Sequence, residues 1–132
     1  MTIELASIRL GMLTPSSNTV LEPYTVAMLA DLPNISAHFS RFKVLKISLE
    51  DDALDQFNCK PMLDAADLLA DANVQTICWN GTSSGWLGFD KDHALIAEIE
   101  LRTGIKACSS ILAMNELLKK FKVKRLAFVT PY

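Results

Sequence analysis

"VQTICWNGTSSGWLGFDKDHALIAEIELRTG", residues 74–104, decides the fold. It opens on an apolar, strand-forming run over 74–80, crosses glycines and hydroxyls, and takes up helical periodicity from Asp90 to Gly104. Acids at the start of that helix and a glycine at its end match the macrodipole and the left-handed C-terminal cap. Strand, loop and helix are therefore expected in that order. The same alternation extends outward. "SIRLGMLT" (7–14) is an apolar run ended by Pro15, and "NISAHFSRFKV" (34–44) carries β-branched and aromatic residues at alternate positions. Between them Thr19-Val20-Leu21-Glu22 has capping-box spacing ahead of "YTVAMLADL", with Pro23 moving the expected start a few residues on. "KPMLDAADLLADAN" (60–73) puts Met62, Ala66 and Leu69 on one helical face. "SSILAMNELLKKF" (109–121) reads as a helix that begins on serines and ends on lysines, and "RLAFVT" (125–130) as a last strand. Alternation of this kind defines the α/β class, a parallel sheet with flanking helices.

The chain has 132 residues, half of them apolar, enough for one ordinary core. With 13 basic and 15 acidic residues and a net charge of -2, no basic stripe is available to track a phosphate backbone, so nucleic acid is not an expected partner. "MTIELASIRLGML" lacks a basic segment followed by an uninterrupted apolar core, and no run is long enough to cross a bilayer. A cytoplasmic protein with no membrane partner is expected. Cys59, Cys78 and Cys108 are odd in number and widely spaced, without a C-x-x-C or a histidine pair, so reduced thiols are expected and no metal site.

"RLAFVTPY" is an apolar strand with no helix after it, whereas strands of a parallel sheet are covered on both faces. The chain is thus expected to stop short of a whole domain, to expose apolar surface and to associate, either with itself as a homo-oligomer or with a missing C-terminal half. Ligands of open α/β sheets sit beyond the carboxyl ends of the strands. Pro15 to Asn18, Gly81 to Ser84 and Tyr132 all fall at such ends.

Gly81-Thr82-Ser83-Ser84-Gly85 also fits the G-x-S-x-G nucleophile elbow. An elbow needs its helix immediately, while helical periodicity resumes only at Asp90. The one histidine downstream, His93, sits barely ten residues on. A serine hydrolase using Ser83 is therefore the weakest of three readings. Neither G-x-G-x-x-G nor a P-loop is present, which argues against a dinucleotide site.

Taken together, "GMLTPSSNTVLEP", "WNGTSSGWLGF", "LRTGIKACSS" and "RLAFVTPY" resemble, in order and spacing, the N-terminal half of the arylmalonate decarboxylase and maleate cis-trans isomerase branch of the aspartate/glutamate racemase superfamily. The resemblance implies a two-lobed, pseudo-symmetric fold about twice this length with the active site between lobes. Residues 1–104 would form an incomplete, Rossmann-like first lobe, and 105–132 the crossover helix and first strand of the second. It implies cofactor-independent enolate chemistry on a small carboxylic or dicarboxylic acid, of decarboxylase (lyase), isomerase or racemase type. Thr82, Ser83 and Tyr132 match the donors of an oxyanion hole. Asn18 matches a carboxylate-binding asparagine, with Pro15, Ser16, Ser17, Gly81 and Ser84 shaping the same site.

Racemases and maleate isomerases of this family carry a cysteine where Gly81 stands, and arylmalonate decarboxylases a glycine. Racemisation needs an acid or base on each face of the carbanion, decarboxylation only one proton donor, so Gly81 favours decarboxylase-like chemistry. The remaining thiol would lie in the second half, which implies that residues 1–132 alone are inactive. The alternative is a non-catalytic anion-binding half-chain or assembly module. Cysteine in place of Gly81 is expected to cost little, provided the glycine does not have a positive φ. Read alone, the hydroxyls could satisfy turn amides, Asn18 could cap a helix, and Cys78 could be a small buried hydrophobe. His38 and His93 read as structural or exposed, Cys59 and Cys108 as lacking a partner, and Trp79 and Trp86 as packing residues, with Trp86 a weaker candidate for lining a pocket.

Overall fold

A computed structural model describes residues 7–43, 59–82, 85 and 88–127. Strand β1 (Ile8–Pro15) leads through helix α1 (Leu21–Met28) to β2 (Ile35–Phe42). Helix α2 (Lys60–Asp71), β3 (Thr76–Trp79), α3 (Phe89–Thr103), β4 (Ala107–Ser109) and α4 (Ser110–Lys120) follow. The four strands form one parallel sheet in the order β2-β1-β3-β4, the expected class. No helix of the described residues is long and apolar enough to cross a membrane.

The order fixes where the helices go. The chain steps one way from β1 to β2 and the other way from β2 to β3 to β4, so right-handed crossovers place α1 on one face and α2 and α3 on the opposite one. Leu13, Phe42, Ile77 and Trp79 point toward α2 and α3 and are buried with Met62, Ala65, Ala66, Leu69, Leu95 and Ile99. Complete burial of side chains such as Leu13 and Ile77 contributes about 1.5–3 kcal/mol each. Arg102 near the end of α3 donates to Asp64 and Asp67 of α2, tying the two covering helices together at the surface.

Two helix ends follow the expected local chemistry. Gly104 closes α3 at φ 69°, donating its N–H to the Glu100 carbonyl, and Ser109 Oγ caps α4 by accepting from Leu112 N at 3.2 Å. The expected Thr19–Glu22 box does not form. Asn18 Oδ1 accepts from Val20 N and Leu21 N at 2.9 and 2.8 Å, and α1 starts at Leu21, ahead of Pro23. Glu22 instead pairs with Arg41 of β2.

Two further expectations change. Ala107–Ser109 is a strand that propensity does not signal; it exists because it pairs with Ile77–Trp79, and Glu100 Oε1 accepts from Ala107 N at 3.0 Å. It joins the same sheet as β1–β3. Residues 125–127 are irregular, while 128–132, with the rest of the expected last strand, lie outside the described residues.

Candidate functional site

The strand order reverses between β1 and β3, the neighbouring strands whose crossovers diverge, and ligands of open α/β sheets sit at the carboxyl ends of such a switch point. Two of the segments read from sequence meet there. The Pro15–Asn18 turn continues β1 and is held at both ends: Ser16 N donates to the Phe42 carbonyl at 2.8 Å, and Asn18 N to the Pro15 carbonyl at 2.9 Å. Arg41 Nη1 donates to the Ser16 carbonyl at 3.0 Å while its Nε reaches Glu22 Oε1 at 2.9 Å, so a cation lies under the turn. Asn18 spends its oxygen on the α1 cap, which leaves its NH2 group as the donor suited to a carboxylate. Ser16 and Ser17 are exposed.

Gly81 and Thr82 continue β3. A Cβ on Gly81 would lie 1.8 Å from Cζ2 of Trp79, whose ring is buried and packs against Phe42 at a centroid distance of 5.4 Å. Glycine is required here by close approach, since Gly81 is not among the residues with positive φ. The expectation of a cheap cysteine at this position is thereby corrected: the indole would have to leave its place first. Thr82 is exposed, and its carbonyl accepts from Gly85 N at 3.0 Å. The chain at Gly85 is already helical, earlier than the sequence suggested. Ser83, Ser84, Trp86 and Tyr132 lie outside the described residues. His93 is exposed on α3, and His38 shares a 2.9 Å hydrogen bond with Ser36 on β2, so the described residues assemble no Ser-His-Asp triad.

Beside these lies a cluster that sequence reading missed. Asn80, immediately before Gly81, donates to Met12 Sδ at 3.3 Å, while its Oδ1 accepts from Cys78 Sγ at 3.4 Å and Ser110 Oγ at 3.3 Å. Cys78 stands opposite Cys108 in the β3–β4 register, on the same face of the sheet. Interaction with the Cys78 thiol lowers the pKa of Cys108, against the opposing effect of burial, while the same interaction and burial push Cys78 up. Cys108 therefore does have a partner, thirty positions upstream, and no spacing rule points to it. Thr14 Oγ1, fully buried at the end of β1, has no hydrogen-bond partner among the described residues. An open groove of about 560 Å³ runs along β2 between Ala37 and Arg41. It lies at the sheet edge, and its lining includes Glu22 and Arg41, the pair beneath the Pro15–Asn18 turn.

Fold and strand order define a parallel α/β protein whose β1/β3 switch point is the candidate ligand site. No protein-family model matches the chain, and no curated protein matches its sequence. Among solved structures it is similar to the maleate cis-trans isomerase of Nocardia farcinica. A cysteine-to-serine variant with a covalently bound succinylcysteine intermediate superposes with a TM-score of 0.77 at 25% identity, over 96% of this chain and 54% of that one. The same isomerase bound to TRIS gives 0.76 and 26%, over 95% and 53%. The fold is thus that of a maleate isomerase, in keeping with the racemase-like branch to which the four motifs point, and the chain spans about half the length of these enzymes.

Proposed function

We propose that this chain contributes the first half of the active site of a cofactor-independent enzyme that acts on a small carboxylic or dicarboxylic acid through an enolate-type intermediate. The observation that carries the reading is the meeting of the Pro15–Asn18 turn with Gly81–Thr82 at the β1/β3 switch point, in a fold shared with an isomerase of a dicarboxylic acid. The Asn18 amide, with Ser16 and Ser17, receives one substrate carboxylate. The hydroxyls and amides of Thr82, Ser83 and Ser84, joined by Tyr132, receive the oxygens on which negative charge grows. Fixed donors at such a position stabilise the intermediate more than the ground state, because they need no reorganisation as charge develops.

Gly81 and Trp79 refine the chemistry. With the indole across Gly81, this half presents no thiol at that point. Loss of carbon dioxide leaves its bonding electron pair on the enolate, and a single donor then protonates the carbon. That sequence needs no acid on the face that Gly81 occupies. Decarboxylase-like chemistry is favoured on this ground, whereas the likeness of fold is to an isomerase.

The test is Thr82→Ala in the protein that carries the whole active site, with disubstituted malonate and maleate as substrates. A fall in kcat of about a hundred- to a thousand-fold with unchanged circular dichroism is expected on losing an oxyanion donor. Unchanged turnover would remove Thr82 from the site. Malonate binding without turnover of either acid would mark a non-catalytic anion-binding chain, and labelling of Ser83 by a fluorophosphonate would favour the hydrolase.

A further inference from the structure

Strand β2 is the outer strand of the sheet among the described residues, and its ladder to β1 fixes which backbone groups face outward. Ile8 N donates to the Asn34 carbonyl and Ser16 N to the Phe42 carbonyl, both at 2.8 Å, so the even-numbered residues of β2 turn their N–H and C=O groups toward β1. These groups alternate in direction along a strand, so Ala37, Phe39 and Arg41 turn theirs away from the sheet. No backbone hydrogen bond among the described residues takes them up. Sheets usually blunt such an edge with proline, lysine or an inward charge. The sequence of β2 has no proline and no lysine, and Arg41, its one charged residue, is tied to Glu22 of α1.

The open groove along β2 is this edge. It is lined by five consecutive residues of the strand, Ala37 to Arg41, together with Glu22 of α1 and Leu68, Leu69 and Ala72 of α2. Helices α1 and α2 lie on opposite faces of the sheet, and only the edge of a strand is open to both faces at once. The outward backbone groups therefore form the floor of a slot with a helix on either side.

We propose that this slot binds an extended peptide segment of another protein, which adds to the sheet as a further strand beside β2. The shape of the slot decides against a second copy of this chain. A β2 edge flanked by its own α1 and α2 cannot enter between the same two helices of a partner, whereas a single extended chain can. Main-chain hydrogen bonds to Ala37, Phe39 and Arg41 supply the affinity, and the walls select side chains on alternate positions. On the α2 side Leu68, 63% exposed, and Ala72 offer an apolar surface that suits valine, isoleucine or leucine. On the α1 side Glu22 and Arg41 already neutralise each other, so the peptide needs no charge there and a small polar residue such as threonine fits. The partner is thus a strand-forming segment that alternates apolar and uncharged polar residues.

The proposal rests on the strand edge and does not depend on the carboxylate chemistry at Gly81 and Thr82. Its test is amide hydrogen exchange of the full chain, read by nuclear magnetic resonance with and without the acetylated, amidated peptide Thr-Val-Thr-Val-Thr-Val-Thr. The amides of Ala37, Phe39 and Arg41 should exchange fast in the free chain and slow by about tenfold or more at saturating peptide. Those of Ser36, His38 and Ser40 face β1 and should be protected in both states. The same peptide methylated at every backbone nitrogen should protect none of the three outward amides. Leu68→Glu, at an exposed position, should weaken binding by about tenfold with unchanged circular dichroism. Ala37→Pro removes one outward N–H and leaves the ladder to β1 in place, so it should weaken binding as well. No binding at millimolar peptide, protection that misses the odd-numbered amides, or equal binding of the methylated peptide would overturn the proposal. So would slow exchange of those three amides in the free chain that becomes fast on dilution, which would give the edge to a second copy.

Discussion

The two faces of the sheet are built on different terms. Toward α2 and α3 the strands present Leu13, Ile77 and Trp79, each at most 7% exposed and packed on helix side chains selected for shape. Toward the other side they present Met12, Cys78 and Cys108, which with Asn80 just beyond β3 and Ser110 at the start of α4 are all half-buried and several joined by hydrogen bonds. The first face holds the fold together by area removed from water, the second by directional contacts. The switch point lies where both faces end, and Gly81 records the meeting: the indole of the packed face closes the space that a side chain on the site's rim would need.

The largest expected effect breaks the packed face. Ile77→Ala, at a fully buried central position, should lower stability by about 2–5 kcal/mol in urea denaturation. A loss under 1 kcal/mol would show that α2 and α3 do not seal this face. Next comes Gly81→Cys, which forces the Trp79 ring aside at a cost of about 1–3 kcal/mol and should shift tryptophan fluorescence. Trp79→Leu in the same chain should recover part of that loss. If Gly81→Cys alone is neutral, the indole does not lie where it excludes a side chain.

Asn18→Ala should cost about 0.5–2 kcal/mol, the usual range for a lost cap. Asn18→Asp separates the two roles given to this residue. It keeps the capping oxygen, so stability should hold, but it sets a negative charge against the substrate carboxylate, so KM should rise steeply. Equal KM in wild type and Asn18→Asp would confine Asn18 to capping.

The smallest effect is a rate difference on the polar face. Interaction with the neighbouring Cys78 thiol lowers Cys108 to about 7, whereas burial, followed by the nearby Glu98 charge, raises Cys59. A thiolate is the reacting species, so alkylation of Cys108 by iodoacetamide should rise through neutral pH and fall away as acid returns its proton. Cys59 should respond only at more alkaline pH. Matching pH profiles for the two thiols, read by peptide mass spectrometry, would show that Cys78 does not lower the Cys108 thiol in solution.

Much of this was legible in the chain and some of it could not be. Apolar runs broken by Pro15 and Gly104, acids opening α3 and serines opening α4 are local signals, and local chemistry acts on them wherever the chain goes; class, helix ends and the strand-end loops follow from them. Asn18 could be read both as cap and as carboxylate donor, and the cap it makes leaves its amide nitrogen for the second task. Only the tertiary structure decided the rest. Ala107–Ser109 has no strand signal of its own and is extended because β3 offers it a ladder. Glu22 and Arg41, nineteen positions apart, meet because β2 lies beside β1. Cys78 finds Cys108, and Trp79 dictates glycine at 81, through parallel register and the side on which a ring packs. Those contacts join residues by strand order, and no property of either residue read along the chain encodes which strand will stand next to it.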